Sequence, residues 1–226
     1  MATRPTTSAD APRPALDLPI RDAATTIVLR RDGAPSVLMG LRGDAAAFMP
    51  SKYVFPGGAV DPSDAGTAFA RPLDGAVRRA LEARSDAPPE ALAAAAIREL
   101  AEETGQVLGL PGAGCDWPGF AGLAPDAAPL RLVFRAITPP ARPRRFDARF
   151  FLVPAEALAT DPDDFSRAED ELSHLHWVPI AQARALDMPF ITEVVLAEVA
   201  AIAEGAEAQG TPFFDNSGEG SVFLRL

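Results

Sequence analysis

The sequence predicts an α/β protein in which a mixed β-sheet is packed between helices. Short runs rich in β-branched and aromatic residues alternate with segments of helical periodicity. An Asp-Gly pair at 32–33 separates the first two apolar runs, which is typical of a tight β-hairpin. A segment at 98–105 has a charged side and an apolar side and ends in glycine, as many helices do.

The elements are predicted in order from these patterns. Strands are expected at 23–30, 36–41, 54–55, 130–138, 146–154, 176–178 and 221–226. Helices are expected at 73–83, 87–104, 181–185 and 192–209. Asp86 is the expected cap of the second helix, whose first turn suits Pro88 and Pro89. Residues 109–129 are rich in Gly and Pro and are predicted to form a loop.

Length and composition indicate one domain. The 226 residues suit a single sizeable core, with a domain at 20–226 and a mobile tail at 1–19 that is rich in Pro, Ala, Thr and Ser. Cys115 is the only cysteine, so an internal disulfide is excluded and a reducing, cytoplasmic setting is expected. No apolar run is long enough to cross a membrane, so no membrane association is predicted.

The formal net charge of −10 argues against nucleic acid as a partner, because sequence-independent binding rests on Lys and Arg side chains that neutralise phosphates. A small phosphorylated nucleotide remains a suitable partner. It could be held by a local basic patch and a metal ion.

Three carboxylates concentrate on one face of the predicted helix at 87–104. Neighbours on a helix surface are three and four residues apart, so Glu99, Glu102 and Glu103 share a face. Like charges at this spacing repel one another and destabilise a helix. A divalent cation such as Mg²⁺, which binds carboxylate oxygens, would relieve that repulsion. The alternative interpretation is an acidic helix face that is simply solvated.

The segment around these carboxylates resembles the signature of the Nudix hydrolases, G-x5-E-x7-R-E-U-x-E-E-x-G-U, where U is a bulky apolar residue. Residues 98–105 match its second half. Seven residues, 91–97, precede Arg98, and before them stands Glu90, in the position of the first signature Glu. The signature Gly would fall at Arg84, and the nearest suitable glycine is Gly58. An insertion is therefore predicted at about 61–87, where it could shape the pocket or form a homodimer contact.

The split signature is similar to one branch of that family, which includes peroxisomal coenzyme A diphosphatases and bacterial relatives. Phe-Pro-Gly-Gly at 55–58, Asp61, a spacer and the acidic helix follow that branch's order. The resemblance implies the Nudix fold, a mixed sheet between helices, and Mg²⁺-dependent hydrolysis of a diphosphate linkage. The substrate would be a nucleoside diphosphate joined to another moiety, with coenzyme A or acyl-CoA favoured. NADH, ADP-ribose, diadenosine polyphosphates, or a non-catalytic nucleotide-sensing module are the alternatives.

The resemblance also implies roles for individual residues. Glu102 and Glu103 are the expected core ligands of Mg²⁺, for which Mn²⁺ could substitute, and Glu99 is a further ligand or the base that activates water. Arg98 is expected to orient the carboxylates by charge-assisted hydrogen bonds. A backbone carbonyl of the Gly-Gly turn, assigned to Gly58, would complete the metal shell. Glu90 either supports the arginine or only favours the helix N-terminus.

Further site residues are expected outside the signature. Glu171, with Glu169 as second choice, is the expected late-loop carboxylate that joins the metal ligands, unless this loop is merely a solvated acidic one. Arg42, at the end of the second strand, is expected to contact substrate phosphate.

The later hairpin carries Arg144, Arg145 and Arg149. Arg145 and Arg149 could face the cleft from alternating strand positions, and Arg145 is the one assigned to substrate; a solvated arginine surface is the alternative. His174 and His176 are interpreted as structural residues, since zinc sites usually need more ligands than two histidines.

Overall fold

A computed structural model of the protein describes residues 18–44, 49–140, 142–206, 209–218 and 220–226. The predicted tail at 1–19 lies outside the described residues except for its last two positions. The strands are β1 Ile20–Arg30, β2 Ser36–Arg42, β3 Tyr53–Val54, β4 Gly57–Ala59, β5 Gly109–Pro111, β6 Leu123–Pro125, β7 Arg131–Ile137, β8 Arg145–Pro154, β9 Leu172–Pro179, β10 Pro212–Asp215 and β11 Val222–Arg225. The helices are α1 Gly75–Glu82, α2 Pro89–Thr104, α3 Ile180–Ala183 and α4 Phe190–Ala203.

One mixed sheet of nine strands organises the described residues. Its order is β11-β10-β7-β8-β1-β2-β3, with β4 paired to β1 and β9 paired to β2. The pairs β1–β8 and β7–β10 are parallel and the other pairs are antiparallel. Strands β5 and β6 form a separate hairpin.

Helices cover both faces of the sheet, and β1 shows how the two layers arise. Successive side chains of a strand point to opposite faces. Ala24 and Val28 therefore join the core under α2, whereas Ile27 and Leu29 join the core under α4. The predicted fold class, a mixed sheet packed between helices, is confirmed.

Helix α2 lies close to the sheet because its buried face is made of small side chains. Residues 93–96 are four consecutive alanines, all fully buried. The hydroxyl of Thr26 on β1 donates a hydrogen bond to the carbonyl oxygen of Ala96, 2.8 Å away. This contact sets the helix against the middle of β1 and directs its C-terminal turns towards β4.

Several element predictions differ from the structure. Helix α2 begins after Pro88, and Asp86 does not cap it, because no side chain accepts a hydrogen bond from its first turn. Proline at the start removes one of the N–H groups that a cap would satisfy. The predicted loop at 109–129 contains the β5–β6 hairpin, and α4 ends at Ala203 rather than at 209. Strands β4 and β10 were not predicted; both are too short for a period of two to be visible.

Among the described residues, no helix is both long enough and apolar enough to span a membrane.

Candidate active site

The acidic end of α2 meets β4 beside the middle of β1. Strand β4 pairs with β1 so that Gly57 lies opposite Thr25 and Gly58 opposite Ala24. A side chain at either glycine would displace a neighbour, which is backbone at Gly57 and the end of the Glu99 side chain at Gly58. A Cβ at Gly57 would lie 2.5 Å from the carbonyl oxygen of Ala24, and a Cβ at Gly58 would overlap the carboxylate of Glu99. The Gly-Gly turn therefore lets the backbone approach the carboxylates closely.

Arg98 organises the acidic residues around it. Its Nε and Nη2 donate to the two carboxylate oxygens of Asp64 at 2.9 and 3.0 Å. Its Nη1 donates to Glu99 at 2.8 Å and to Glu102 at 3.0 Å, and Nη2 also donates to the carbonyl oxygen of Ala59 at 3.2 Å. Burial alone would lower the pKa of Arg98, but the hydrogen bonds to Asp64 and Glu99 raise it well above its usual value. Arg98 thus lies where it orients two of the helix carboxylates.

Asp64 is a site residue that the sequence interpretation missed. It is fully buried at the end of a short 3₁₀ helix, Pro62–Asp64, and its second oxygen also accepts from the backbone N–H of Asp61 at 2.8 Å. Five residues separate Gly58 from Asp64, which is the spacing of the first half of the Nudix signature with Asp in place of Glu. Counting forward from Gly58, rather than back from Arg98, would have found it.

The first signature acid is therefore not Glu90. Glu90 forms an ion pair with Arg78 of α1, on the surface, with 38% and 39% of the two side chains exposed. With Asp64 as the first signature acid, the added residues lie after it, at 65–88; the predicted insertion was at about 61–87. In the structure it carries α1, whose buried Leu81 packs into the core under α2.

Glu99 is held between neutralising and repelling charges. Burial raises its pKa, the hydrogen bond and charge of Arg98 oppose that rise, and the charges of Glu102 and Glu171 add to it. The carboxylate therefore lies in an environment where a further positive charge would be favourable.

Glu103 is the most buried of the three helix carboxylates, with only 3% of the residue exposed. The backbone N–H of Gly57 donates to its Oε2 at 2.7 Å. Burial raises the pKa of Glu103 to about 8 against the opposing effect of that hydrogen bond, and the charges of Glu99 and Glu171 contribute to the rise. The β4 turn and the helix are thus joined directly through this carboxylate.

The pairing of β2 with β9 brings Arg42 and Glu171 to the same place. Arg42 lies opposite Leu172 in the register of the two strands. The adjacent Glu171 accepts a hydrogen bond from Nη2 of Arg42. The charge of Glu171 acts on both Glu99 and Glu103, so the structure places it beside the helix carboxylates. Glu169 donates its backbone N–H to the carbonyl oxygen of Glu102 at 2.8 Å, which fixes this loop to the end of α2.

The oxygen atoms of the helix carboxylates are the expected donors to a metal ion. In the part of the chain that the structure describes, no three His, Cys, Asp or Glu side chains form a group that could hold a metal ion. Arg98 and the Gly57 N–H engage one oxygen each of Glu99, Glu102 and Glu103. The other oxygen of each carboxylate remains as a hard donor of the kind that Mg²⁺ binds. The donor chemistry and the mutual repulsion therefore fit a divalent cation, whose binding would require these side chains to reorient.

A cleft of about 1030 Å³ opens beside these residues, on the sheet face that α4 covers only in part. Glu99, Glu171 and Arg42 line one end of it together with the Gly57–Gly58 backbone. Among the described residues, none in the range 61–87 lines the cleft, so the insertion does not shape this pocket.

Arg145 does not line the cleft, so its position does not support the predicted contact with substrate. Its Nε donates to the carbonyl oxygen of Thr138 at 3.1 Å and its Nη2 to that of Asn216 at 2.7 Å, and only 7% of the residue is exposed. Arg149 is buried on the same side of β8, in an ion pair with Asp22 at 2.5 Å. The alternation of β8 turns the even-numbered residues towards the cleft instead.

The two histidines and the cysteine considered in the sequence analysis do not line the cleft. His174 and His176 are exposed on β9, where Nδ1 of His176 is 2.7 Å from the carbonyl oxygen of His174. Cys115 is partly buried against the core under α2.

Comparison with protein-family models finds no match, and comparison with curated proteins finds none. Among solved structures, the chain is similar to an Ap4A hydrolase of C. elegans, with 16% identity over 83% of this chain and 100% of that one and a TM-score of 0.49. It is also similar to the Nudix domain of Shewanella oneidensis NrtR in complex with ADP ribose, with 12% identity over 81% of this chain and 88% of that one and a TM-score of 0.49.

A closer likeness is to a Nudix hydrolase from Alicyclobacillus acidocaldarius. The two chains are 32% identical over 86% of this chain and 99% of that one, with a TM-score of 0.63. The similarity therefore extends over nearly the whole of that hydrolase. The fold also brings together the parts of the split signature, which are the Gly-Gly turn, Asp64 and the acidic helix. This chain therefore belongs to the Nudix hydrolase family and is a pyrophosphohydrolase.

Proposed function

We propose that the protein uses Mg²⁺, or Mn²⁺ in its place, to hydrolyse the diphosphate linkage of a nucleoside diphosphate joined to a second moiety. Coenzyme A and its acyl thioesters are the first substrates to test. The observation that carries the proposal is the convergence of Glu99, Glu102 and Glu103 around Arg98 and the Gly57 N–H, at one end of a large cleft.

The carboxylates of α2 would hold the metal ion. Glu99, Glu102 and Glu103 are the proposed ligands, with the carbonyl of Gly58 and the carboxylate of Glu171 as further donors. A divalent cation held there would neutralise phosphate charge and lower the pKa of a water molecule, so that the water could lose a proton and attack as hydroxide. Glu99 either joins the ligands or takes the proton from that water, and both roles suit its place at the cleft wall.

Two arginines have different proposed tasks. Arg98 has 12% of its side chain exposed and is fully engaged by carboxylates, so it positions them and does not contact substrate. Arg42 lines the cleft, and 20% of its side chain is exposed. Its guanidinium group can therefore donate to a phosphate oxygen in the cleft, which supports Arg42 as a substrate-binding residue.

The size of the cleft supports a substrate larger than a simple nucleoside diphosphate. Small-molecule pockets have volumes of roughly 300–1,000 Å³, and this cleft has about 1030 Å³. The resemblance of the split signature to the coenzyme A branch points the same way. NADH, ADP-ribose and diadenosine polyphosphates are the competing substrates.

Product analysis with a substrate panel tests the proposal. The protein would be incubated with Mg²⁺ and coenzyme A, an acyl-coenzyme A, NADH, ADP-ribose or a diadenosine polyphosphate. We expect cleavage at the diphosphate, and a loss of about 100-fold or more in Glu102→Gln/Glu103→Gln, because metal ions contribute several kcal/mol to such transition states. Glu90→Gln is the matched control. Cleavage that persists in the double variant, or no cleavage of any compound with Mg²⁺ or Mn²⁺, would contradict the proposal.

A further inference from the structure

The floor of the cleft is a row of alanines across three strands. Ala23 of β1 lies opposite Ala148 of β8, which lies opposite Ala136 of β7, and all three line the cleft. Phe214 of β10 continues the row on one side. Methyl groups at three adjacent positions leave a depression in a sheet face that elsewhere carries large side chains. Ala23 and Ala136 are buried and Ala148 is partly exposed, so a flat group in the cleft would meet this floor mainly at Ala148.

Positive charge collects at the end of this floor that is remote from the carboxylates. Arg21 lies two positions before Ala23 on β1, and Arg142 and Arg144 precede β8; all three line the cleft. Thr25 marks the carboxylate end, because it is paired with Gly57. Thr25 lies four residue steps after Arg21 along the strand, a distance of about 13 Å at the usual rise per residue.

These three arginines differ from the other cations of the cleft. Arg42 pairs with Glu171, and Lys52 pairs with Asp187 at 2.5 Å. Within the described ranges, the side chains of Arg21, Arg142 and Arg144 form no ion pair and no hydrogen bond, and all three residues are exposed.

The surrounding protein makes this group electrostatically distinct. The chain carries a formal net charge of −10. Three uncompensated guanidinium groups in one concave wall therefore concentrate a local positive potential, and clefts lined by one sign of charge focus such fields on their ligands. The guanidinium group also matches a phosphate with two parallel hydrogen bonds. An anion is the ligand that this wall suits.

We propose that Arg21, Arg142 and Arg144 bind a phosphate monoester that the substrate carries on the far side of its nucleoside from the diphosphate. The inference rests on the proposed function, which places the diphosphate at the carboxylates of α2. A diphosphate held there cannot also occupy a site about 13 Å away along the strand. A nucleoside lying over the alanine floor, between Phe146 and Phe150, spans the interval. The three arginines thus select nucleotides with an additional phosphate on the ribose.

A binding measurement tests the arginine site without relying on catalysis. Adenosine 3′,5′-bisphosphate, adenosine 2′,5′-bisphosphate and AMP would be titrated calorimetrically into the protein. We expect one bisphosphate to bind about tenfold or more tightly than AMP, as hydrogen bonds to charged groups allow. In Arg142→Ala/Arg144→Ala this preference falls to within about twofold, while AMP binding is unchanged. Arg131→Ala, which removes an exposed arginine away from the cleft, is the matched control. Equal affinity of the wild-type protein for all three nucleotides would overturn the inference.

Kinetics then separate this inference from the proposed function. Coenzyme A would be compared with 3′-dephospho-coenzyme A in the presence of Mg²⁺. A higher kcat/KM for coenzyme A that is lost in the double arginine variant supports both. Equal hydrolysis of the two compounds, unchanged in Arg142→Ala/Arg144→Ala, would contradict the arginine site but would agree with the proposed function. If neither compound is hydrolysed but the bisphosphate preference depends on Arg142 and Arg144, the arginine site stands and coenzyme A is not the substrate.

Discussion

Arg98 and Asp64 form the buried pair on which the geometry of the carboxylates depends. Asp64 is fully buried, and its two oxygens accept from two nitrogens of Arg98. Removing one partner of a buried, hydrogen-bonded pair leaves an uncompensated charge and is far more destabilising than loss of an exposed pair. Arg98 also holds Glu99 and Glu102, so any movement of its guanidinium group is passed on to two proposed ligands.

We expect Asp64→Asn to lower the free energy of unfolding by about 3 kcal/mol or more, and to lower kcat with little change in KM, since Asp64 does not line the cleft. Glu90→Gln removes only the exposed pair with Arg78 and should cost no more than about 1 kcal/mol. Urea unfolding and steady-state kinetics of the two variants check this. A stable, active Asp64→Asn beside a damaged Glu90→Gln would restore Glu90 as the first signature acid.

At residue level, the sequence predicted the site residues that lie together on one helix. It missed Asp64, which the insertion separates from that helix. Glu99, Glu102 and Glu103 follow from helical spacing. The structure joins Glu99 and Glu102 to Arg98 and joins Glu103 to the Gly57 N–H. Asp64 lies 34 positions before Arg98 and becomes its partner only through the fold. Arg145 lies outside the cleft lining for a different reason. Alternation predicts that neighbours on a strand face opposite sides, but the pattern alone does not say which side is the cleft.

The pKa of Glu103 predicts how the metal-free protein responds to pH. Burial raises this pKa from 4.5 to about 8, so between these values the folded state binds more protons than the unfolded state. The free energy of unfolding should therefore fall as pH rises through this window. Thermal unfolding in EDTA from about pH 5 to about pH 9 measures the slope, which should be smaller in Glu103→Gln. An equal slope in the variant would show that Glu103 does not titrate in this window.

At the scale of elements, α2 depends on a close fit to β1. Half of its buried residues are alanines, and the Thr26 hydroxyl donates a hydrogen bond directly to the carbonyl oxygen of Ala96. Any residue larger than alanine there must push the helix away from the sheet. Gly57 belongs to the sheet and Glu103 to α2. The 2.7 Å hydrogen bond between the Gly57 N–H and the Glu103 carboxylate therefore depends on how closely the helix packs on the sheet.

We expect Ala96→Leu to destabilise the protein by about 1–3 kcal/mol, as overpacked cores usually do, and to reduce kcat because the carboxylates move relative to β4. The same change at the exposed Ala197 of α4 should leave stability within about 0.5 kcal/mol and activity unchanged. Chemical unfolding and kinetics of both variants provide the comparison. Wild-type activity in Ala96→Leu would show that the position of the helix is not critical.

The elements that sequence patterns predicted well are those with enough residues to display a period. Strands β1, β2, β7 and β8 and helix α2 were placed within a few residues of their observed bounds. Strands β4 and β10 have three and four residues, so their existence depends on partners in the sheet rather than on a local pattern. The β5–β6 hairpin lies in a Gly/Pro-rich segment, where local composition favours a loop.

At the scale of the molecule, the two cores are joined through shared strands. Strand β1 contributes Ala24 and Val28 to the core under α2 and Ile27 and Leu29 to the core under α4. Strand β8 does the same with Phe151 and Phe150. These two strands pair in parallel over ten positions in the middle of the sheet. Loss of β1 or β8 would expose the apolar side chains of both cores at once, so 20–226 should unfold as one unit.

Substitutions in the α4 core, read by probes in the α2 core, test this coupling. Trp117 and Trp177 both pack against the core under α2. Leu196→Ala, in the core under α4, should reduce stability by about 2–5 kcal/mol and shift the tryptophan-fluorescence and far-ultraviolet circular dichroism midpoints together. Leu92→Ala, in the core under α2, is the matched variant and should behave in the same way. If Leu196→Ala left the fluorescence midpoint in place while part of the dichroism signal was lost earlier, the helical layers would unfold separately. The region would then consist of two cooperative units.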